Sequence, residues 1–354
     1  MTTVRLREDL EALGAYRPGK APVPGEGPRF KLSSNENPYP PLPSVAARIA
    51  ELAGGVNRYP NMAGHAITDR LAALHGVPAA QVVLGAGGVE ILSQLMRATA
   101  GAGDEIVFAW RSFEAYPLLA VAAGARPVQV PLTAAHGHDF AAMRAAIGER
   151  TRLVIVCNPN NPTGTAVGAA ELTAFVESVP ADVVVLIDEA YVQFNRDADV
   201  PDAVALARRR PNVVVARTFS KAYGLAGLRI GYALAPEPVA VAMRKVAVPF
   251  GVTDLAQGAA LASLDAEDEL AARVDDLVSE RDRLAGALAD LGWRIPPSQA
   301  NFFWFPLGER TGEGTEVFAR HGVVVRPFDG EGLRVCLGDA EANEALLAAA
   351  GELR

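Results

Sequence analysis

One stretch of the 354-residue chain gathers several groups able to do chemistry. It reads Thr218-Phe219-Ser220-Lys221-Ala222-Tyr223-Gly224-Leu225-Ala226-Gly227-Leu228-Arg229. Two hydroxyls, a lysine and an arginine share a glycine-punctuated loop. An apolar run, residues 212–216, precedes it and reads as a buried strand, which puts the lysine at a strand's carboxyl end. Partial desolvation there lowers an ammonium pKa and makes the amine a nucleophile able to form a Schiff base. Thr218, Ser220 and Arg229 are donors suited to one phosphate group. Taken alone, the stretch reads equally well as a surface turn with a solvated lysine.

Three more clusters follow strand-like runs. Asp188-Glu189-Ala190-Tyr191 comes directly after residues 183–187. An acid there stands at the sheet edge where open α/β sheets bind ligands. It could ligate a metal, act as acid or base, pair with a protonated heterocycle, or cap a helix. Glu189 faces the other way if the strand continues. Asn158-Pro159-Asn160-Asn161-Pro162-Thr163-Gly164 offers amide donors on a turn locked by proline, and is most often just a rigid turn. Gly85-Ala86-Gly87-Gly88 lies between a strand and a helix, where backbone N–H groups cradle phosphate. Glu90 stands where a dinucleotide fingerprint needs its third glycine, and no Gly-Lys-Ser/Thr ending follows.

The elements that must position these groups alternate. Strands are expected at residues 81–84, 105–108, 127–130, 153–157, 183–187 and 212–216, with helices at 89–100 and 116–123. The runs at 153–157 and 183–187 are continuous and β-branched, as in strands buried on both faces. Such alternation predicts an α/β fold with a mostly parallel sheet. Residues 20–43, rich in Pro and Gly, read as an extended arm. After residue 264 the pattern changes. A long amphipathic helix (269–291), strands at 301–305, 323–325 and 332–337, and a final helix (340–350) form an α+β unit. The expected organisation is an N-terminal arm (1–35) joining the smaller domain, a large α/β domain (36–264) and a small C-terminal α+β domain (265–354).

Composition narrows the partners. Hydrophobic residues make up 50% and charged residues 21%, which is ordinary for a globular chain. The 33 lysines and arginines against 41 acids leave a net charge of −8. Without a basic block, nucleic acid and anionic membrane surfaces are poor partners. The longest uncharged apolar-rich stretch, residues 115–125, is far short of the ~18 needed for a membrane span. Arg5, Arg7, Glu8 and Asp9 argue against a secretory signal. Two cysteines, Cys157 and Cys336, make no disulfide framework and no zinc pair. A cytoplasmic setting is expected. Cys157 reads as a small buried filler, and the five scattered histidines predict no metal site.

Together, and in this order, the clusters resemble the fold-type I pyridoxal 5'-phosphate aminotransferases, closest to the histidinol-phosphate aminotransferase subgroup. The signatures are Ser34-Asn35-Glu36-Asn37-Pro38, residues 158–164, 188–191 and 218–229. The resemblance spans residues 32–334. Trp110-Arg111-Ser112-Phe113-Glu114-Ala115-Tyr116-Pro117 and the Gly85–Glu90 stretch look like the actinobacterial aromatic amino acid (phenylalanine) aminotransferases of that subgroup. An acidic pair after the glycine loop and a Pro-Thr-Tyr segment, usual in histidinol-phosphate enzymes, are missing.

That resemblance implies a ping-pong transfer of an amino group between an aromatic amino acid and a 2-oxo acid. The alternative is the histidinol-phosphate reaction of histidine biosynthesis. It implies that Lys221 holds the cofactor and later shuttles a proton, and that Asp188 pairs with the pyridinium nitrogen. Tyr191 and Asn161 hydrogen-bond the phenolic oxygen, and Phe113 stacks on the ring. The phosphate falls to the amides of Ala86 and Gly87, to Thr218 and Ser220, to Arg229, and to Tyr59 from the neighbour in a homodimer. Arg334 clamps a substrate carboxylate or phosphate. Asn161, Tyr16 and Arg326 complete the substrate set, with Arg326 open as a second anion site or an ordinary surface residue. Phe302 and Phe303 are strand neighbours, so at least one belongs to the core. A decarboxylase or lyase on the same fold, a nucleotide-binding α/β protein and a non-catalytic regulator are the competing readings. The missing dinucleotide fingerprint argues against the second. The acidic N-terminal arm leaves no room for the DNA-binding module that the third needs.

Overall fold

A computed structural model describes residues 4, 7–11, 13–16 and 29–354. Arg5 and the 20–28 part of the expected arm lie outside the described residues. Chain order runs through β1 (Phe30–Lys31), β2 (Val82–Gly85), β3 (Glu105–Trp110), β4 (Arg126–Pro131), β5 (Thr151–Cys157), β6 (Val184–Asp188), β7 (Val213–Thr218), β8 (Gly231–Leu234), β9 (Phe302–Phe305), β10 (Val323–Val324), β11 (Arg326–Phe328) and β12 (Gly332–Cys336).

Seven strands form the main sheet in the order β2-β8-β7-β6-β5-β3-β4. The β4-β3-β5-β6-β7 run is parallel throughout. Only β8 reverses, pairing antiparallel with both β2 and β7. Sequence reading missed β8 because Gly-Tyr-Ala-Leu is short and carries no β-branched residue. It also missed the helices Glu237–Val246 and Asp254–Asp265. Pro127 and Pro131 are tolerated in β4 because it is an edge strand.

Alternate side chains of each central strand enter different buried layers. Ile106, Phe108, Ile155, Leu186 and Val214 join one layer, and Val107, Val154, Val185, Ile187 and Val215 the other. Helices cover both faces, as a parallel sheet requires. Gly88–Thr99 and Glu237–Val246 pack together over one of them. Among the described residues no helix is long and apolar enough to cross a membrane.

The C-terminal unit is built on the antiparallel sheet β11-β12-β9, backed by the helices Glu267–Asp290, Thr311–Arg320 and Ala340–Leu353. Sequence reading expected one strand over 323–325. The chain instead breaks at Val325: β10 pairs with β1 of the arm, and β11 turns into the three-stranded sheet. The arm is therefore tied to this unit by backbone pairing, and Cys336 N–H extends the tie by donating to Leu32 O at 3.0 Å.

Candidate active site

The topology explains why distant motifs meet. The parallel strands β3, β5, β6 and β7 all end at one sheet edge, and antiparallel β8 begins there. The register Cys157↔Asp188↔Ala216 and Thr218↔Gly231↔Gly85 lines up the loops that follow. Between that edge, the arm and β11–β12 lies a cavity of about 240 Å³. Tyr16, Phe113, Asn161, Asp188, Tyr191, Thr218, Ser220, Lys221, Arg229, Arg326 and Arg334 all line it.

Lys221 Nζ donates to the Ser34 carbonyl at 3.2 Å and lies 5.9 Å from the Tyr191 ring centre. Burial, helped by the nearby Arg334 charge, lowers its ammonium pKa to about 8. An amine so placed is a far better nucleophile near neutral pH than a solvated lysine. The surface-turn alternative for this loop does not describe the molecule.

Asp188 ends β6 on the Leu186 face, the face that holds Tyr116. It is 7% exposed. Burial raises its carboxyl pKa, while hydrogen bonds from the Tyr116 hydroxyl (2.6 Å) and Ala190 N–H (3.2 Å) oppose the rise. Glu189 does face the other way, into a buried pair with Arg217 at 2.7 Å. Among the described residues no group of three or more His, Cys, Asp or Glu could hold a metal ion.

The anion side of the cavity is assembled from β7, its loop and the glycine turn. Thr218 Oγ1 donates to Ser220 Oγ at 2.9 Å, and Arg229 reaches Ser220 Oγ at 3.5 Å. Arg229 adopts a left-handed backbone at φ 57°, uncommon for a residue with a side chain. Gly87 is left-handed too, and a Cβ there would run into the Arg229 guanidinium. Gly231 supports the turn from below. A Cβ on it would meet Gly87 C and Gly88 N at 2.9 Å.

The family resemblance implies a phosphate on the amides of Ala86 and Gly87; neither residue lines the cavity. Ala86 N–H donates to the Glu90 carboxylate, and Gly87 N–H to Gly85 O at 2.7 Å. Gly88 and Val89, at the start of the helix Gly88–Thr99, line the cavity instead. Tyr59 also stands elsewhere, 82% exposed with its ring 4.7 Å from that of Phe250.

Opposite the lysine, Arg334 Nη1 donates to Asn161 Oδ1 at 2.5 Å and Nη2 to Ser33 O at 2.7 Å. Its Nε is buried without a hydrogen-bond partner among the described residues. The Tyr191 hydroxyl accepts from Asn35 Nδ2 at 2.9 Å, and burial raises its pKa, so it keeps a proton to donate. Phe302 and Phe303 are both buried core residues that do not line the cavity. Cys157 is buried beside the site with its thiol pushed up to about 12, chiefly by burial. That is a filler, not a nucleophile. Sequence reasoning missed Tyr116, Glu114, Gly88, Val89 and the Ser34 carbonyl. Ser34 and Asn35 were visible in the 34–38 signature, but nothing local assigns them a contact.

Residues 28–349 match the model of a family described as aminotransferase class I and II. The chain belongs to that family. It is 56% identical to an aromatic amino acid aminotransferase of Streptomyces coelicolor, over 100% of this chain and 98% of the relative. It is 52% identical to one of Thermobifida fusca, over 98% and 96%. Among solved structures, histidinol-phosphate aminotransferase from Sinorhizobium meliloti in complex with pyridoxal-5'-phosphate superposes with a TM-score of 0.89. That match is 28% identical and covers 99% of this chain and 98% of the other.

The fold of this aminotransferase is thus the fold-type I α/β architecture expected from its motifs. The competing reading as a nucleotide-binding α/β protein falls away.

Proposed function

We propose that this aminotransferase uses pyridoxal 5'-phosphate to move an amino group between an aromatic amino acid and a 2-oxo acid. The observation that carries the reading is a half-buried lysine amine sharing one cavity with Asp188, Tyr191 and Arg334 and an aromatic wall. Relatives bearing the aromatic name at 56% and 52% identity support the substrate class. The donor set fits the cofactor. Gly87 leaves a gap that a Cβ would fill beside Arg229, and Thr218, Ser220 and Arg229 converge with the helix start at Gly88. Ala86 and Gly87 shape that turn, and the amides of Gly88 and Val89 complete the phosphate seat.

Bound there, the cofactor supplies an electron sink for the charge left when the Cα proton departs. Everything else is done by the chain. Lys221 Nζ takes and returns that proton, and a pKa of about 8 suits both tasks near neutral pH. The Asp188 carboxylate holds the proton of the heterocycle nitrogen, and Tyr116 holds Asp188. Tyr191 and Asn161 donate to the phenolic oxygen. Phe113, whose ring packs at 88° to that of Tyr116, presents a flat wall to the heterocycle. Arg334 clamps the substrate carboxylate, its unpartnered Nε included. Tyr16, half-exposed at the mouth, closes over the side chain.

We further propose a cytoplasmic homodimer in which Tyr59 of one subunit completes the phosphate seat of the other. The exposed set Tyr59, Met62, Val248 and Phe250 supports an interface on that side. The large domain spans 36–264 and the small one 265–354 with the arm 1–35.

A single-turnover comparison tests the substrate class. The cofactor-loaded enzyme is mixed separately with phenylalanine and with histidinol phosphate, and loss of the long-wavelength absorbance is followed. The larger apparent second-order rate is expected with phenylalanine. A clear advantage for histidinol phosphate moves the enzyme to histidine synthesis.

A further inference from the structure

Arg326 and Arg334 sit directly opposite each other on the antiparallel strands β11 and β12. Directly opposed residues share a sheet face with Cβ atoms about 5 Å apart. Both line the cavity. Two guanidiniums so placed repel unless one is offset.

The fold treats them differently. Arg334 hydrogen-bonds the neutral oxygens of Asn161 and Ser33. Arg326 meets a full negative charge. Its Nε (3.1 Å) and Nη2 (2.7 Å) both donate to Glu114 Oε2. Glu114 directly follows Phe113, so its carboxylate reaches from the large sheet's edge to the opposite wall. The pair is well shielded, with side-chain exposures of 10% and 27%. At the same rim Arg111 is paired with Glu331, its guanidinium 4.2 Å from the Trp110 ring centre.

We propose that Glu114 is a specificity-determining residue that sets the site for a carboxylate and against a phosphate monoester. The inference rests on the aromatic amino acid reading above. With Glu114 in place, Arg326 and Glu114 cancel and Arg334 leaves one positive charge, the complement of one carboxylate. A phosphate monoester carries about two negative charges near neutral pH. It needs both arginines, and it meets the Glu114 carboxylate as a like charge. Repulsion of the wrong ligand discriminates as effectively as attraction of the right one. Losing the carboxylate removes both the like charge that a phosphate would meet and the counter-charge held against Arg326.

The test uses cofactor-loaded wild type, Glu114→Gln and the double variant Glu114→Gln/Arg326→Gln. Each is mixed in single turnovers with L-phenylalanine and with L-histidinol phosphate. The readout is the ratio of the two second-order rates, which a merely structural loss would not move in one direction. In Glu114→Gln the histidinol phosphate to phenylalanine ratio rises at least about ten-fold, and Arg326→Gln cancels the rise. A ratio within about two-fold of wild type, or a rise that survives Arg326→Gln, overturns the assignment. Should Glu114→Gln not fold, the same ratio is read in Glu114→Ala, which also removes the charge. A rise there supports the role, and an unchanged ratio contradicts it. Wild-type inactivity toward phenylalanine removes the aromatic reading and this inference with it. An unchanged ratio in a variant still active on phenylalanine removes only the role of Glu114.

Discussion

The Tyr116 hydroxyl donates to Asp188 Oδ2 at 2.6 Å, from a helix that begins at Ala115 to a strand end in the sheet. Tyr116 is fully buried, so the bond is shielded from water. It opposes the rise that burial imposes on the Asp188 carboxyl. Tyr116→Phe removes that opposition and pushes the Asp188 pKa further up. The expected result is a kcat/KM for phenylalanine lower by about ten-fold, in line with ~1.5 kcal/mol for a hydrogen bond to a charged group. The acid limb of the pH–rate profile should move to higher pH. A variant with lower rates but an unmoved acid limb would assign Tyr116 to packing alone.

Lys221 gives a pH prediction with a definite sign. Burial lowers its folded pKa to about 8, below the 10.5 of an ordinary lysine. The neutral amine, the form that captures a carbonyl, therefore grows as pH rises through 8. Rebinding of pyridoxal phosphate to apoenzyme should accelerate with a midpoint near pH 8. A midpoint near 10.5 would mean that the amine is solvated.

Gly231 carries the glycine turn from below. Its absent Cβ would lie 2.9 Å from Gly87 C and Gly88 N and 3.0 Å from Arg217 O. All three are backbone atoms, which cannot swing aside. Gly231→Ala should destabilise the fold by about 1–3 kcal/mol and weaken cofactor affinity beyond that effect. Titrating apoenzyme with cofactor, beside a thermal melt, separates the two. Unchanged affinity in a folded variant would show that the turn adapts.

How far the sequence carried these conclusions differs by element. The strands ending at Cys157, Asp188 and Thr218 were legible because continuous β-branched runs are buried on both faces. Lys221, Asp188 and Arg229 were legible because each stands at a fixed offset from such a run. The partners that tune them were not. Tyr116 reaches Asp188 across 72 positions, and Glu114 reaches Arg326 across 212. No local pattern encodes such contacts. The expected Ala86 and Gly87 amides show a different kind of contact that no local pattern encodes. The glycine turn was correctly located, but Glu90 and Gly85 O take the Ala86 and Gly87 N–H groups. Gly88 and Val89 line the cavity beside them.

Two buried histidines predict acid lability. Burial lowers the pKa of His75 and of His138 to about 4 each, with Arg217 and Arg208 adding to the effect at His75. The unfolded chain binds protons from about pH 6.5 downward, whereas the folded chain waits until about 4. Stability is therefore lost as pH falls across that window, on the order of 3 kcal/mol per histidine. Neither ring nitrogen of His138 has a hydrogen-bond partner among the described residues. His138→Leu should flatten the fall in Tm between pH 7 and 5. An unchanged slope would show that His138 is already protonated, or hydrated, in the fold.

The central claim is that Lys221 is the amine that carries the cofactor. The chain contains only four lysines, Lys20, Lys31, Lys221 and Lys245, so the claim has a sharp test. Cofactor-loaded enzyme is reduced with borohydride, digested, and mapped by mass spectrometry. The account predicts a single pyridoxylated peptide bearing Lys221, and loss of that label after turnover with phenylalanine in the absence of an oxo acid. Label on Lys31 or Lys245 in its place, or no covalent label in a yellow protein, would contradict it.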